Sequence, residues 1–223
     1  AGRVLVAHDG IRAARFADMP SRDEARAACG LPQDAFVIGY VGRLHTMGMP
    51  KGLDTLVEAV ALAAQGEASP DLLLVGGPPE GMAAVRAQWA ACGLPPERLH
   101  TAGQVPADEV PRYLAAMDVG AMPLPWTKHF AYHASALKLF EYMAAGCAVL
   151  ASDLPSTAEV VRDGETALLV PPGDTAALAV AIRRLRDDPA LHERLGAQAR
   201  QDVAAYTWGA RAARIRAFVE GEN

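Results

Sequence analysis

Lysine is nearly absent from this chain: three of its 223 residues, against 18 arginines. Cysteine is as scarce, and Cys29, Cys92 and Cys147 are scattered, odd in number and in no Cys-x-x-Cys pair. Neither a disulfide framework nor a thiolate zinc site is signalled, and a reducing, cytoplasmic compartment is the expectation. No apolar run approaches the roughly 18 residues that suggest a membrane span, and no cationic stretch leads into an apolar one at the start. A transmembrane helix and a secretory signal are therefore not expected. Basic charge is in deficit, since 21 Lys and Arg against 26 Asp and Glu leave a net −5. A broad nucleic-acid surface is normally basic, so that partner class drops out, while a local cationic pocket stays open.

Familiar catalytic signatures are missing too. There is no GxxxxGK[ST] phosphate loop, no GxGxxG fingerprint, no Gly-x-Ser-x-Gly elbow and no Asp-x-Asp pair. His129 and His133 have the spacing of two ligands on one helix, but Phe130 stands where H-E-x-x-H requires glutamate. No metal site and no cofactor are expected. The first residue is Ala1 rather than Met, a hint that the chain is an excised or processed piece.

What is present is the composition of a folded domain, 51% hydrophobic and 21% charged, with ample apolar material for one core. Short apolar runs bounded by Gly, Pro or Asp predict strands at 4–7, 36–41, 72–75, 119–122, 148–151 and 167–170. Between them, apolar residues at spacings of three and four predict helices at 52–64, 81–91, 108–117, 135–145 and 175–186, with Leu53, Leu56, Val57 and Val60 forming one such stripe. Alternation of this kind implies a parallel sheet with crossover helices on both faces. The class is α/β, a Rossmann-like doubly wound sheet, ending after Val170 in a helical tail without strands. No repeat and no linker divides residues 1–223, which read as a single domain.

Ligands of such sheets bind beyond the carboxyl ends of the strands. Three segments there carry chemistry. The first, residues 42–52, brings Gly42, Arg43 and Lys51 to a helix start, where backbone N–H groups, the positive helix end and two cations suit an oxyanion. Solvated surface charge is the competing reading. The second, Val75-Gly76-Gly77-Pro78-Pro79, permits close backbone approach at Gly77, or is simply a turn. In the third, residues 132–146, Ser135 reads as an N-cap and Gly146 as a stop, which opens the N–H groups of Ala136 and Leu137 to the strand ends. Lys138 and Glu141 then share a helix face, as site residues or as an exposed ion pair.

Taken in order, Gly-Tyr-Val-Gly-Arg-Leu, Lys-Gly-Leu-Asp-Thr-Leu, Leu-Leu-Leu-Val-Gly-Gly-Pro, Ala-Gly-Gln-Val and Leu-Lys-Leu-Phe-Glu-Tyr-Met-Ala-Ala-Gly resemble the nucleotide-sugar-binding half of GT-B retaining glycosyltransferases of group 1, family 4. The resemblance runs from about Val4 to Trp208 and includes Asp163-Gly164-Glu165-Thr166-Ala167-Leu168-Leu169-Val170-Pro171-Pro172-Gly173-Asp174, with Ala167 in place of the family's usual Gly. It implies a glycosyltransferase of the hexosyltransferase type, metal-independent, whose donor is a nucleoside-diphosphate sugar such as a UDP- or GDP-sugar. Arg43 and Lys51 would hold the diphosphate and stabilise the leaving group. Glu141 would accept from the ribose hydroxyls, backbone near Gly103, Gln104 and Val105 would meet the base, and Ala136 and Leu137 N–H groups would meet the distal phosphate.

Departures from the family pattern carry expectations of their own. His133 stands where the family commonly has a sugar-binding glutamate, and Ser135-Ala136 replaces Phe-Gly, so that Ser135 and Lys138 would take over phosphate contacts. The spacer between Arg43 and Lys51 looks long enough to bring His45 to the donor. Residues 4–11 resemble the junction that opens the second domain of such enzymes, so the N-terminal acceptor domain is expected to be absent from this chain, with any membrane-surface contact made through it. The last helix, normally returning to that domain, should expose an apolar patch. Two other functions share the architecture: a non-catalytic nucleotide-binding scaffold and a nucleotide-sugar epimerase.

Overall fold

The computed structural model describes residues 4–64 and 69–221. After a 3-10 turn at Ala13–Phe16, the chain runs through α1 (Arg22–Cys29), β1 (Val37–Val41), the two-residue strands β2 (His45–Thr46) and β3 (Met49–Pro50), and α2 (Leu53–Ala63). It continues through β4 (Asp71–Val75), α3 (Pro79–Ala91), β5 (Leu99–Gly103), α4 (Val110–Ala115), β6 (Val119–Met122), α5 (Lys128–Tyr132) and α6 (Leu137–Ala145). Then come β7 (Ala148–Ser152), α7 (Pro155–Ala158), β8 (Ala167–Val170), α8 (Thr175–Asp187), α9 (Pro189–Asp202) and α10 (Trp208–Glu220).

Six strands form one parallel sheet in the order β5-β4-β1-β6-β7-β8. β1 lies inside it, in register with β4 from Val37↔Asp71 to Val41↔Val75. Every residue of β1, β4 and β7 is buried, as a parallel sheet covered on both faces demands. Alternate side chains serve opposite faces. Ile38, Tyr40, Leu72 and Leu74 join α2, α3 and α8 through Leu56, Val57, Trp89 and Ile182. Val37, Val41, Leu73 and Val75 join α4 and α6 through Leu114, Phe140 and Met143.

The sheet differs from the sequence reading at its margins. Residues 4–7 form no strand; Val4 and Val6 are exposed, and the nearest backbone pairing is a bridge from Ile11 to Thr207. The short apolar run Val-Leu-Val-Ala predicted a strand there, but the segment joins no strand of the sheet. β5 is an edge strand that was not anticipated, because its half-buried sequence Leu-His-Thr-Ala-Gly lacks an apolar run. α1 and the β2–β3 hairpin were likewise not anticipated. α6 begins at Leu137 with Ala136 as its N-cap, so Ser135 does not cap it; the Ser135 hydroxyl instead accepts from the Asp9 N–H at 3.0 Å. α10 buries none of its residues and leaves Trp208, Ile215 and Val219 exposed, the apolar face expected of the last helix. Among the described residues no helix is long and apolar enough to cross a membrane.

Candidate functional site

The carboxyl ends of β1 and β4 turn in close contact. Gly42 takes φ 120° and its N–H donates to Val75 O at 2.8 Å. A Cβ on Gly76 would lie 2.5 Å from Gly42 O, so these turns require residues without side chains. The chain then crosses the β2–β3 hairpin and reaches Lys51, whose N–H donates to Leu44 O at 3.1 Å. Gly52, at φ 74°, follows directly; a Cβ there would fall 1.8 Å from Pro123 O, which fixes the start of α2 against the end of β6.

Above these ends lies a cavity of about 410 Å³. Gly42, Lys51, His133, Ser135, Ala136, Leu137, Lys138 and Glu141 all line it, together with Thr46 and His129. Eight of the residues singled out from sequence therefore share one cavity. Arg43 is exposed outside the lining, yet close enough for its charge to act on Lys51. Gly77 lines a second cavity of about 330 Å³, with Arg86, Thr101, Gly103 and Gln104. Val105 lines neither of these two; it packs half-buried against the core. His45 is exposed, and the hairpin presents Thr46 to the cavity in its place, because the hairpin turns at Met47-Gly48 and pairs His45 with Pro50.

Lys138 is the least ordinary group here. It is 9% exposed, its Nζ is buried with no hydrogen-bond partner, and that Nζ sits 3.5 Å from the centroid of the Tyr40 ring. The exposed ion pair with Glu141, one of the two readings of their shared helix face, does not form; the ammonium rests on an aromatic face instead. Burial pushes the Lys138 pKa well below that of an ordinary lysine, Lys51 adds to the effect and Glu141 opposes it. Burial, then Arg43, lowers Lys51 as well. Burial raises the Glu141 carboxyl, against the pull of Arg15 and Lys138. Tyr40 links two of these parts, since its hydroxyl donates to Arg43 O at 2.7 Å while its ring carries the ammonium.

Among the described residues Arg43, Lys51 and Lys138 are in no ion pair with a carboxylate. Lys51 and Lys138 line the cavity beside the N-terminus of the nine-residue α6, with Arg43 exposed outside it, an arrangement whose chemistry suits a multivalent anion. No group of three or more His, Cys, Asp or Glu is placed to hold a metal among the described residues. Tyr40, Thr46 and Arg15 were not identified from sequence. Tyr40 lies inside the Gly-Tyr-Val-Gly-Arg-Leu motif, which was the available signal.

A doubly wound parallel sheet with a lysine-lined cavity at the carboxyl ends of its strands defines an α/β protein with the fold's usual place for a ligand. The sequence model of the family described as "Glycosyl transferases group 1" matches residues 35–188, and the chain belongs to that family. It is 33% identical over 219 residues to the D-inositol 3-phosphate glycosyltransferase of Streptomyces avermitilis, covering 93% of this chain and 44% of that one. Sucrose-phosphate synthase from Thermosynechococcus elongatus superposes on 99% of the chain with a TM-score of 0.81 and 30% identity, over 53% of its own length. Anabaena HepE, solved with UDP and glucose, shares the fold at a TM-score of 0.77 and 23% identity over 95% of this chain and 55% of its own. The chain spans about half the length of the curated relatives it matches.

Proposed function

We propose that this chain is the donor-binding half of a glycosyltransferase, and that its cavity takes a nucleoside-diphosphate sugar. The observation that carries the reading is the buried Lys138 ammonium at the start of α6, which has neither a hydrogen bond nor an ion pair and shares the cavity with Lys51. A buried cation without a partner costs stability, and a bound anion repays it. The family membership and the UDP found in the HepE structure support the choice of anion.

Chemistry follows from the charges. In a bound donor each phosphorus carries one ionised oxygen; when the glycosyl bond breaks, the distal phosphate gains a further negative charge. A site with three cations is complementary to the separated nucleoside diphosphate more than to the intact donor. That differential is what accelerates a bond-breaking step. Arg43 at the rim would hold the phosphates through paired N–H bonds. Lys51 and Lys138 would supply charge from the wall, and the open N–H groups of α6 would meet the distal phosphate. In this reading the carbocyclic or sugar acceptor enters from the half not covered by the chain, transfer proceeds with retention, and no metal is needed to neutralise the leaving group.

A thermal-shift series with UDP, GDP, ADP and TDP tests this. A nucleotide at about 100 times its Kd stabilises by about 2.7 kcal/mol, or roughly 5 to 11 °C for a chain of this size. The expected result is a base-selective shift that Arg43→Ala removes. No shift with any of the four overturns the reading.

A further inference from the structure

We propose that Arg15 is a positioning residue of the nucleoside end of this site, orienting Glu141 toward the ribose hydroxyls and tying it to the loop that follows β5. The inference rests on the donor-site reading above and adds to it a residue outside the matched stretch 35–188. Arg15 belongs to the 3-10 turn Ala13–Phe16, anchored by the buried ring of Phe16. Its Nη1 lies 3.8 Å from Glu141 Oε1, with the two side chains 22% and 19% exposed. Its Nη2 donates to the carbonyl of Ala107, and its Nε lies 3.7 Å from Asp108 Oδ1. One guanidinium thus spans from α6 to the segment just beyond Gly103 and Gln104, which line the second cavity.

The geometry suits orientation rather than capture. At 3.8 Å the contact with Glu141 is too long for a hydrogen bond, so the carboxylate is held by charge while both oxygens stay free to accept. Two free carboxylate oxygens match two vicinal hydroxyls, the group that distinguishes a ribonucleotide from its 2′-deoxy form. The Arg15 charge also keeps a half-buried carboxyl in its accepting, ionised form against the effect of burial. The competing account is that Arg15 simply staples the N-terminal turn to the domain.

The test uses this chain with three probes: the nucleoside diphosphate that gives the largest thermal shift, its 2′-deoxy counterpart, and inorganic diphosphate. Affinities are measured for wild type, Arg15→Met, Arg15→Lys, Glu141→Gln and the Arg15→Met/Glu141→Gln double variant. The expected result for Arg15→Met is about a tenfold loss for the ribonucleotide, a ribo-to-deoxy ratio falling toward one, and an unchanged affinity for inorganic diphosphate. Arg15→Lys should recover part of the ratio, and the second substitution should add nothing once Glu141 is Gln. A ratio that survives Arg15→Met, or equal losses for nucleotide and inorganic diphosphate, overturns the proposal and leaves the staple. Should Arg15→Met fail to fold, a wild-type ratio in Arg15→Lys together with a wild-type ratio in Glu141→Gln overturns it equally. Binding of inorganic diphosphate without any nucleotide preference also overturns it, whereas no binding of any probe by wild type overturns the donor-site reading beneath it.

Discussion

Two cations are buried at opposite ends of the sheet, and they are treated in opposite ways. At the amino ends of β1 and β6, Arg26 is 4% exposed. Its Nη2 meets Asp118 Oδ2 at 2.7 Å, its Nη1 donates to Gln33 O at 2.6 Å, and its Nε donates to Ala116 O at 3.2 Å. Asp118 is in turn shared with Arg22 at 3.3 Å and with the Val37 N–H at 2.7 Å. At the carboxyl ends Lys138 is nearly as buried and its ammonium has no hydrogen bond at all. A satisfied buried charge closes the fold; an unsatisfied one leaves an electrostatic demand for a ligand to meet. The contrast favours the carboxyl ends of the strands as the end that takes the proposed ligand.

The sharpest way to break the comparison is to make the satisfied end resemble the other. Asp118→Ala removes the carboxylate partner of the buried Arg26 and the acceptor of the Val37 N–H, and should cost about 3 to 5 kcal/mol of stability, read by urea unfolding. Nucleotide affinity of the folded fraction should not change, because the lesion lies across the sheet from the cavity. A loss below about 1 kcal/mol would show that the network is dispensable and that burial alone does not separate the two ends.

Lys138→Met should act with the opposite sign on stability. Methionine keeps the stem's packing against Tyr40 and removes the uncompensated charge, so the variant should be more stable by about 1 kcal/mol or more. It should bind the nucleoside diphosphate about tenfold more weakly. The pH dependence carries the same sign. Because the folded-state pKa of Lys138 is lowered, the unfolded chain holds a proton that the folded chain lacks between that value and roughly 10.4. Wild-type stability therefore gains on that of Lys138→Met as pH rises through this window, and the difference closes above it. A variant that binds normally, or that loses stability at neutral pH, would contradict the assignment of Lys138 to the ligand.

How far the sequence discloses such a contrast depends on which distances set it. The inner strands are legible because a buried parallel strand is a continuous apolar run, as in Leu72 to Val75. β5 is not, since an edge strand half-buried under α3 tolerates His100 and Thr101. α1 hides because its buried face carries Arg26 rather than an apolar stripe; the capping box of Ser21 and Glu24 was the signal available. At the site, the order of the motifs brings together Gly42, Lys51, Lys138 and Glu141. Arg15 reaches Glu141 only through a tertiary contact, and no local spacing encodes it. The difference between Arg26 and Lys138 is invisible in sequence for the same reason, because it lies in their partners and not in their identities.

Glu141 stands between the two extremes and gives the smallest effect and the finest test. It is half-buried like a core group, yet has a cationic neighbour, Arg15, held short of hydrogen-bonding distance at 3.8 Å. Its carboxyl pKa is raised, chiefly by burial, so the folded state binds a proton more readily than the unfolded one. The ionised form therefore carries a small stability penalty at neutral pH that disappears once the pH is below the ordinary carboxylate value of roughly 4.3. Glu141→Gln should be more stable than wild type by no more than a few tenths of a kcal/mol at pH 7, given the exposure of the group and its neighbour. Ligand preference should move further than stability. As pH falls from 7 through the raised pKa, the carboxyl loses its ability to accept from two hydroxyls, and the ratio of ribonucleotide to 2′-deoxynucleotide affinity should fall with it. Taking the ratio cancels titration of the phosphates, which both ligands share. In Glu141→Gln the ratio should be low and flat across the same range. A wild-type ratio that stays constant down to the ordinary carboxylate range would mean that Glu141 does not face the ribose, and that the nucleoside end of the cavity lies elsewhere.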